Sequence, residues 1–169
     1  TKYAFSVQKD KNLLRQEHSS VRWRKIERRV QERFTTFKDL RVIEIGSGRG
    51  DVSLLMAQQG AKVTLVDYSD EALSQAKTLF KAMGVEGTFI KADILALLQS
   101  LLNSFDISMS FGVAEHFKYP ERKAIMCAHA DLIKKGGISF IAVPNAFCYP
   151  YRFFMALAKV LGYWPEEFE

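Results

Sequence analysis

The sequence predicts an α/β fold: a doubly wound, mostly parallel sheet preceded by a helical extension. Three observations predict it. Short runs rich in Val, Ile and Phe recur along the chain, separated by stretches of helical length and period. The first run, Arg41 to Ile45, passes directly into Gly46-Ser47-Gly48-Arg49-Gly50 and then into an apolar helical pattern. The second run ends on an acidic residue, Asp67, 21 residues after Gly46. At 169 residues the chain has the length of one domain and enough surface to bury a real core.

The chain opens with polar sequence carrying a few apolar anchors (Tyr3, Phe5, Val7, Leu13, Leu14), read as a loose lead-in and a short helix near Asp10 to Glu17. Ser19 or Ser20 is placed to cap the next helix. From Val21 to Phe34 the apolar residues Trp23, Ile26, Val30 and Phe34 fall on one helical face. Arg22, Arg24, Lys25, Arg28, Arg29 and Arg33 fall on the other. Residues 1–40 hold eleven Lys/Arg against five Asp/Glu, so the net charge of +5 lies wholly in front of the glycine turn. That basic face is either a solvated helix surface or an attraction for an anionic substrate, RNA or a membrane surface.

Arg41 to Ile45 is short, apolar and β-branched, as a buried parallel strand should be. Gly46 to Gly50 turns the backbone tightly, and Asp51 to Gln59 reads as a buried helix whose N-terminal N–H groups face the turn. Ala61 to Val66 is the second strand, ending at Asp67. Asp67 either reaches the ribose hydroxyls of an adenosine or caps the helix Glu71 to Met83. Tyr68 either lies against the adenine or simply packs. Gly87 to Lys91 is a third strand, followed by Asp93 and a helix over 94–102.

Phe105 to Phe111 is the fourth strand, with Asp106 as a structural turn residue, and Gly112-Val113-Ala114-Glu115-His116-Phe117 follows it. Tyr119 to Ile133 reads as a helix beginning near Pro120, with Cys127 on its buried side. Gly136-Gly137 is read as a turn into a fifth strand, Ile138 to Val143, stopped by Pro144. Tyr151 to Gly162 is a last helix, rich in apolar residues.

The glycine spacing narrows the ligand. A dinucleotide fingerprint, G-x-G-x-x-G/A, needs a small residue at position 51, and Asp51 there would repel a pyrophosphate. The pattern Glu44-x-Gly46-x-Gly48-x-Gly50 instead resembles the first motif of the class I S-adenosylmethionine-dependent methyltransferases. Their cofactor carries a sulfonium cation and no phosphate, so an acidic setting costs it little. Gly112 to Phe117 resembles the segment after the fourth strand in small-molecule members of that family, with Ala114 in place of a leucine. Lys134-Lys135-Gly136-Gly137 before an apolar strand and Pro144-Asn145 is also familiar there.

The resemblance covers roughly residues 40–165 and implies a Rossmann-like fold with seven strands, of which five are read here. It divides the chain into an N-terminal helical extension or lid (1–39) and a cofactor-binding domain (40–169). It implies transfer of a methyl group from S-adenosylmethionine to an O, N or C atom of a small acceptor. The aromatic tail (Phe147, Tyr149, Tyr151, Phe153, Phe154) and the N-terminal helix, read as a substrate lid, suggest that the acceptor is partly apolar. The cofactor side is assigned to Glu44, Gly46, Ser47, Gly48, Gly50, Asp67, Tyr68, Asp93, Ile94 and Gly112. Asp93 is given the adenine amino group or an N-cap, and Glu44 either the amino-acid end of the cofactor or a bracing role in the turn. His116 is the histidine expected near the crevice, as a general base where the acceptor must lose a proton, or as a structural loop residue.

The segment after the fourth strand lacks the Asn/Asp-Pro-Pro-aromatic and Pro-Cys motifs of nucleic-acid methyltransferases, so nucleic acid is a secondary reading. A methyltransferase acting on RNA or protein through the basic helix, and a non-catalytic nucleotide-binding domain, are the alternatives. His18, His116 and His129 have no metal-ligand spacing, and no metal is expected. Two cysteines, no signal peptide and no apolar run of ~18 residues point to a cytoplasmic protein without a membrane span. The fifth strand is apolar on both faces, so we expect a longer protein whose C-terminal strands cover it, or self-association through that edge.

Overall fold

In the computed structural model, residues 7–96, 99–145 and 147–161 are described. Five parallel strands form one sheet: β1 (Arg41–Ile45), β2 (Lys62–Asp67), β3 (Thr88–Lys91), β4 (Phe105–Phe111) and β5 (Ile133–Ala142), in the order β3-β2-β1-β4-β5. The helices are α1 (Val7–His18), α2 (Val21–Phe34), α3 (Asp51–Gln58), α4 (Asp70–Ala82), α5 (Glu121–Leu132) and α6 (Tyr149–Val160).

Alternation along the strands sends side chains to two separate cores. Val42, Val63, Leu65, Ile107 and Met109 meet α1 to α4 on one face, where Trp23 is fully buried and stacks on Phe37 with ring centroids 5.6 Å apart. Ile43, Ile45, Val66 and Phe105 meet Leu132 of α5 on the other. The fold is therefore α/β and doubly wound, as expected. The strand order reverses direction between β1 and β4, where open α/β sheets leave a crevice at the carboxyl ends of the strands.

Helix α2 forms as its period requires, and Ser20 is the cap: its Oγ accepts from the Trp23 N–H at 3.0 Å. The basic face is largely engaged within the chain. Arg22 pairs with Glu17, Arg28 and Arg29 with Glu32, and Arg33 donates to the Gly136 carbonyl at 2.9 Å.

Four local expectations are corrected. The helix over 94–102 is replaced by two short 3₁₀ turns, Ile94–Ala96 and Gln99–Leu101, with residues 97–98 outside the described set. Strand β5 begins at Ile133, so Gly136-Gly137 is not a turn before the strand. It is an irregularity within it, where the pairing of β4 shifts between Phe105 and Ile107. Helix α5 buries Ile125, His129 and Leu132, one stripe at i, i+4 and i+7, which leaves Cys127 exposed on the opposite side. The last helix begins at Tyr149, two residues earlier than its pattern suggests, and Gly162 lies outside the described residues. Among the described residues β5 is a sheet edge, as expected.

Candidate active site

The crevice is a cavity of about 570 Å³ at the carboxyl ends of the strands. Ile45 of β1 and Gly46 just after it line the cavity, with Val66 and Asp67 of β2, Tyr68 just after it, and Ala92 and Ile94 beyond the end of β3. Gly48 contributes from the glycine turn, and Gly112, Val113, His116 and Phe117 from the segment after β4. Of the residues singled out in sequence, Gly46, Gly48, Asp67, Tyr68, Ile94, Gly112 and His116 are brought together here. Glu44, Ser47, Gly50 and Asp93 are not among its lining residues.

The three turn glycines all have positive φ, between 52° and 69°, but for different neighbours. A Cβ on Gly46 would meet Val113 Cγ2 at 2.5 Å, and one on Gly50 would meet Leu65 Cδ2 at 2.2 Å. Both glycines are needed for packing. A Cβ on Gly48 meets nothing within 4 Å, so the turn leaves open space at the one glycine between them.

Asp67 is 7% exposed and holds the turn in place. Its Oδ2 accepts from the Gly48 N–H at 2.8 Å and its Oδ1 from the Ser69 N–H at 2.9 Å. Each carboxylate oxygen has a second lone pair, so the group can still accept from hydroxyls in the cavity. The helix cap weighed against it is Ser69 itself, whose Oγ accepts from the Ala72 N–H. Asp93 is exposed and its Oδ1 accepts from the Leu95 N–H at 2.9 Å, which places it as the cap of the 3₁₀ turn. Tyr68 is 80% exposed at the cavity mouth.

Glu44 lies behind the glycine turn, 4% exposed, with Ser53 Oγ donating to its Oε2. It thus ties β1 to α3. Burial pushes its carboxyl up to about 7, against the hydrogen bond from Ser53 and the charge of Arg22. Arg22 stands at the end of β4, its guanidinium carbon 4.7 Å from the centre of the Phe111 ring. Sequence reasoning placed it only on a basic face.

Sequence reasoning also missed a buried polar cluster on the α5 face of the sheet. His129 is 1% exposed, with Nε2 2.9 Å from Ser110 Oγ and Nδ1 3.1 Å from Ser108 Oγ. Ser108 Oγ in turn lies 2.7 Å from Ser139 Oγ of β5. An isolated histidine on a helix carries no signal of such a partner set. Burial lowers His129 to about 4.

These two groups oppose each other in pH. The native state holds the Glu44 proton more tightly than the unfolded chain, so stability falls as pH rises from about 4.5 to about 7. The native state resists protonation of His129, so stability falls as pH drops from 6.5 to about 4. Each term amounts to up to about 3 kcal/mol over its window. Their slopes cancel between about pH 4.5 and 6.5 in the parent. Urea unfolding of Glu44→Gln is expected to reveal stability rising with pH in that range, and His129→Asn stability falling with it. Parallel profiles for parent and both variants would refute the opposition.

A sequence profile described as "Methyltransferase domain" matches residues 42–137. The chain belongs to the methyltransferase domain family. This domain is 33% identical over 111 residues to a ubiquinone biosynthesis O-methyltransferase of Caulobacter sp. (strain K31), covering 66% of this chain and 43% of that protein. A Vibrio cholerae serotype O1 protein of the same description is 29% identical over 127 residues, covering 75% and 51%. The methyltransferase domain thus spans about half the length of the curated relatives it matches.

Among solved structures, the magnesium protoporphyrin IX methyltransferase of Synechocystis PCC 6803 with bound S-adenosylmethionine matches with a TM-score of 0.57 at 24% identity. It covers 78% of this chain and 60% of that one. An S-adenosylmethionine-dependent methyltransferase from Clostridium acetobutylicum gives 0.60 at 21% identity, covering 68% and 46%. Both share the fold of this domain. S-adenosylmethionine is the cofactor of this family. The cavity fits it on its own terms: open space at Gly48, free acceptor capacity on Asp67, and an apolar wall of Ile45, Val66, Ala92 and Ile94 suited to a flat base.

Proposed function

We propose that this methyltransferase domain transfers a methyl group from S-adenosylmethionine to a small, partly apolar acceptor, with an oxygen nucleophile as the leading case. The observation that carries this reading is the cavity at the strand reversal, where an acid at the end of β2 and the glycine turn after β1 share one wall. Bound there, S-adenosylmethionine supplies a methyl group on a sulfonium, open to in-line displacement. The domain's own residues then supply binding and alignment, which is most of what such a displacement needs.

Asp67 accepts from the ribose hydroxyls, Gly48 lets the backbone approach the ligand while Gly46 makes room for Val113, and Ile45, Val66, Ala92 and Ile94 flank the base. Tyr68 closes over it at the mouth. Glu44, Ser47, Gly50 and Asp93 act at one remove, by shaping the turn and the segment after β3. His116 and Phe117, on the cavity side of the segment after β4, face the acceptor. His116 takes the acceptor proton where the nucleophile must lose one.

The relatives' description as ubiquinone biosynthesis O-methyltransferases favours an oxygen acceptor on an apolar molecule. An acceptor in RNA or protein is disfavoured by the number of α2 arginines already engaged within the chain. Helices α1 and α2 of the N-terminal extension serve the cofactor-binding domain as a lid. Free Cys127 and Cys148 fit a reducing, cytoplasmic setting, and no described helix is long and apolar enough to cross a membrane.

Calorimetry with S-adenosylhomocysteine, with NADH as comparison, tests the cofactor; release of S-adenosylhomocysteine over a panel of small phenols, amines and acids tests the acceptor. Binding of the first ligand alone and turnover on a phenol are expected. Binding of NADH instead would overturn the reading. With an acceptor in hand, His116→Ala is expected to lower kcat by about 100-fold or more if His116 is the base. A change of a few-fold would remove it from catalysis.

A further inference from the structure

The glycine turn is held from two sides, and only one of them is the cavity. Between Gly48 and Gly50 stands Arg49, whose guanidinium does not line the cavity. Its Nη1 donates to Asp10 Oδ1 at 2.7 Å and its Nη2 to Asp51 Oδ1 at 3.2 Å. Asp10 belongs to α1, 39 residues earlier in sequence, and is 5% exposed. Leaving a carboxylate so buried without its partner is costly, so the contact favours the docked position of α1. The docking is also apolar, since Leu14 of α1 enters the core cluster with Trp23, Val52 and Leu55.

The backbone on either side of Arg49 is in the left-handed region, with Gly48 at φ +52° and Gly50 at φ +69°. The position of the guanidinium is therefore tied to the shape of the turn. One residue away, the Gly48 N–H donates to Asp67 Oδ2, and Asp67 lines the cavity. An unbroken set of contacts runs from α1 through Asp10, Arg49 and Gly48 to Asp67.

We infer that Asp10 is a positioning residue for cofactor binding: it clamps the outer side of the glycine turn, so that docking of α1 and occupation of the cavity support each other. The inference rests on the proposed function for the identity of the ligand, and on the geometry alone for the clamp. A clamp of this kind is reciprocal, because α1 raises ligand affinity by the factor by which ligand steadies α1.

Hydrogen exchange and calorimetry on the full chain test it, using Asp10→Asn, which keeps shape and removes charge, and Asp10→Glu, which restores the charge. Without ligand, Asp10→Asn is expected to speed exchange of the amides of residues 47–54. Affinity for S-adenosylhomocysteine is expected to fall by about tenfold, within the 5–150-fold range usual for coupled sites. In the parent the same ligand slows exchange in α1; in Asp10→Asn it does not. Asp10→Glu recovers part of both effects.

Parent-like exchange of residues 47–54 in Asp10→Asn would overturn the clamp. So would unchanged affinity in a variant whose turn has loosened, since turn and cavity would then be uncoupled. If the parent binds no S-adenosylhomocysteine while Asp10→Asn still loosens the turn, the proposed function fails and the clamp stands.

Discussion

Asp67→Ala is expected to abolish the thermal stabilisation of this domain by S-adenosylhomocysteine. At about 100 times its dissociation constant, the ligand adds roughly 2.7 kcal/mol to the parent. For a domain of this size that is a rise in Tm of roughly 5–10 °C. The size of the loss follows from two functions carried by one carboxylate. It offers the acceptor capacity facing the cavity, and it holds the Gly48 N–H, and so the turn, in place. Asp67→Asn separates the two in part, because one amide oxygen remains while the NH2 group meets an N–H donor. It should bind weakly and melt between parent and Asp67→Ala in the absence of ligand. A ligand shift in Asp67→Ala equal to that of the parent would remove Asp67 from the site.

The second large effect concerns stability and separates two glycines of one turn. Gly50→Ala forces a side chain into the left-handed region and drives its Cβ to 2.2 Å from Leu65 Cδ2, in the middle of the larger core. Conformational strain of about 1–2 kcal/mol and overpacking of about 1–3 kcal/mol should together cost about 2–5 kcal/mol. Gly48→Ala has the same backbone strain but no clash, because its Cβ has nothing within 4 Å. It should cost about 1–2 kcal/mol and act mainly on ligand affinity, since the methyl group takes up the open space beside the cavity. Urea unfolding and calorimetry on the two variants read both effects. Equal stability losses would mean that Leu65 yields to the added methyl group.

These contrasts mark what could be read in advance. The strands Arg41–Ile45 and Phe105–Phe111 and the helix Val21–Phe34 have the predicted ends, because β-branched runs, glycine stops and serine caps act on their immediate neighbours. The glycine turn and Asp67 were legible as one site because topology places the ends of β1 and β2 side by side. Which glycine has open space before it was not legible. Gly46, Gly48 and Gly50 look alike in sequence and differ only in having Val113, empty space or Leu65 opposite. Asp93 had two readings, and the short 3₁₀ turn after β3 takes its carboxylate as a cap. Cys127 was misplaced because α5 is mixed along its length, and the face it buries is chosen by Ser108 and Ser110 of β4, which receive His129.

The amino-acid sequence by itself determined the α/β class, the strand–glycine–helix unit, the acidic end of β2 and the basic surplus of the N-terminal helices. These are local patterns or fixed spacings, and the backbone obeys them wherever the chain folds. The tertiary structure alone decided the partners: Ser53 for Glu44, Ser110 for His129, Asp10 for Arg49. Each pair joins residues from different elements, and burial decides whether a charge is suppressed, as at Glu44 and His129, or matched, as at Asp10. The apolar period encodes which face of an element is buried, but not which polar group of another element packs against it.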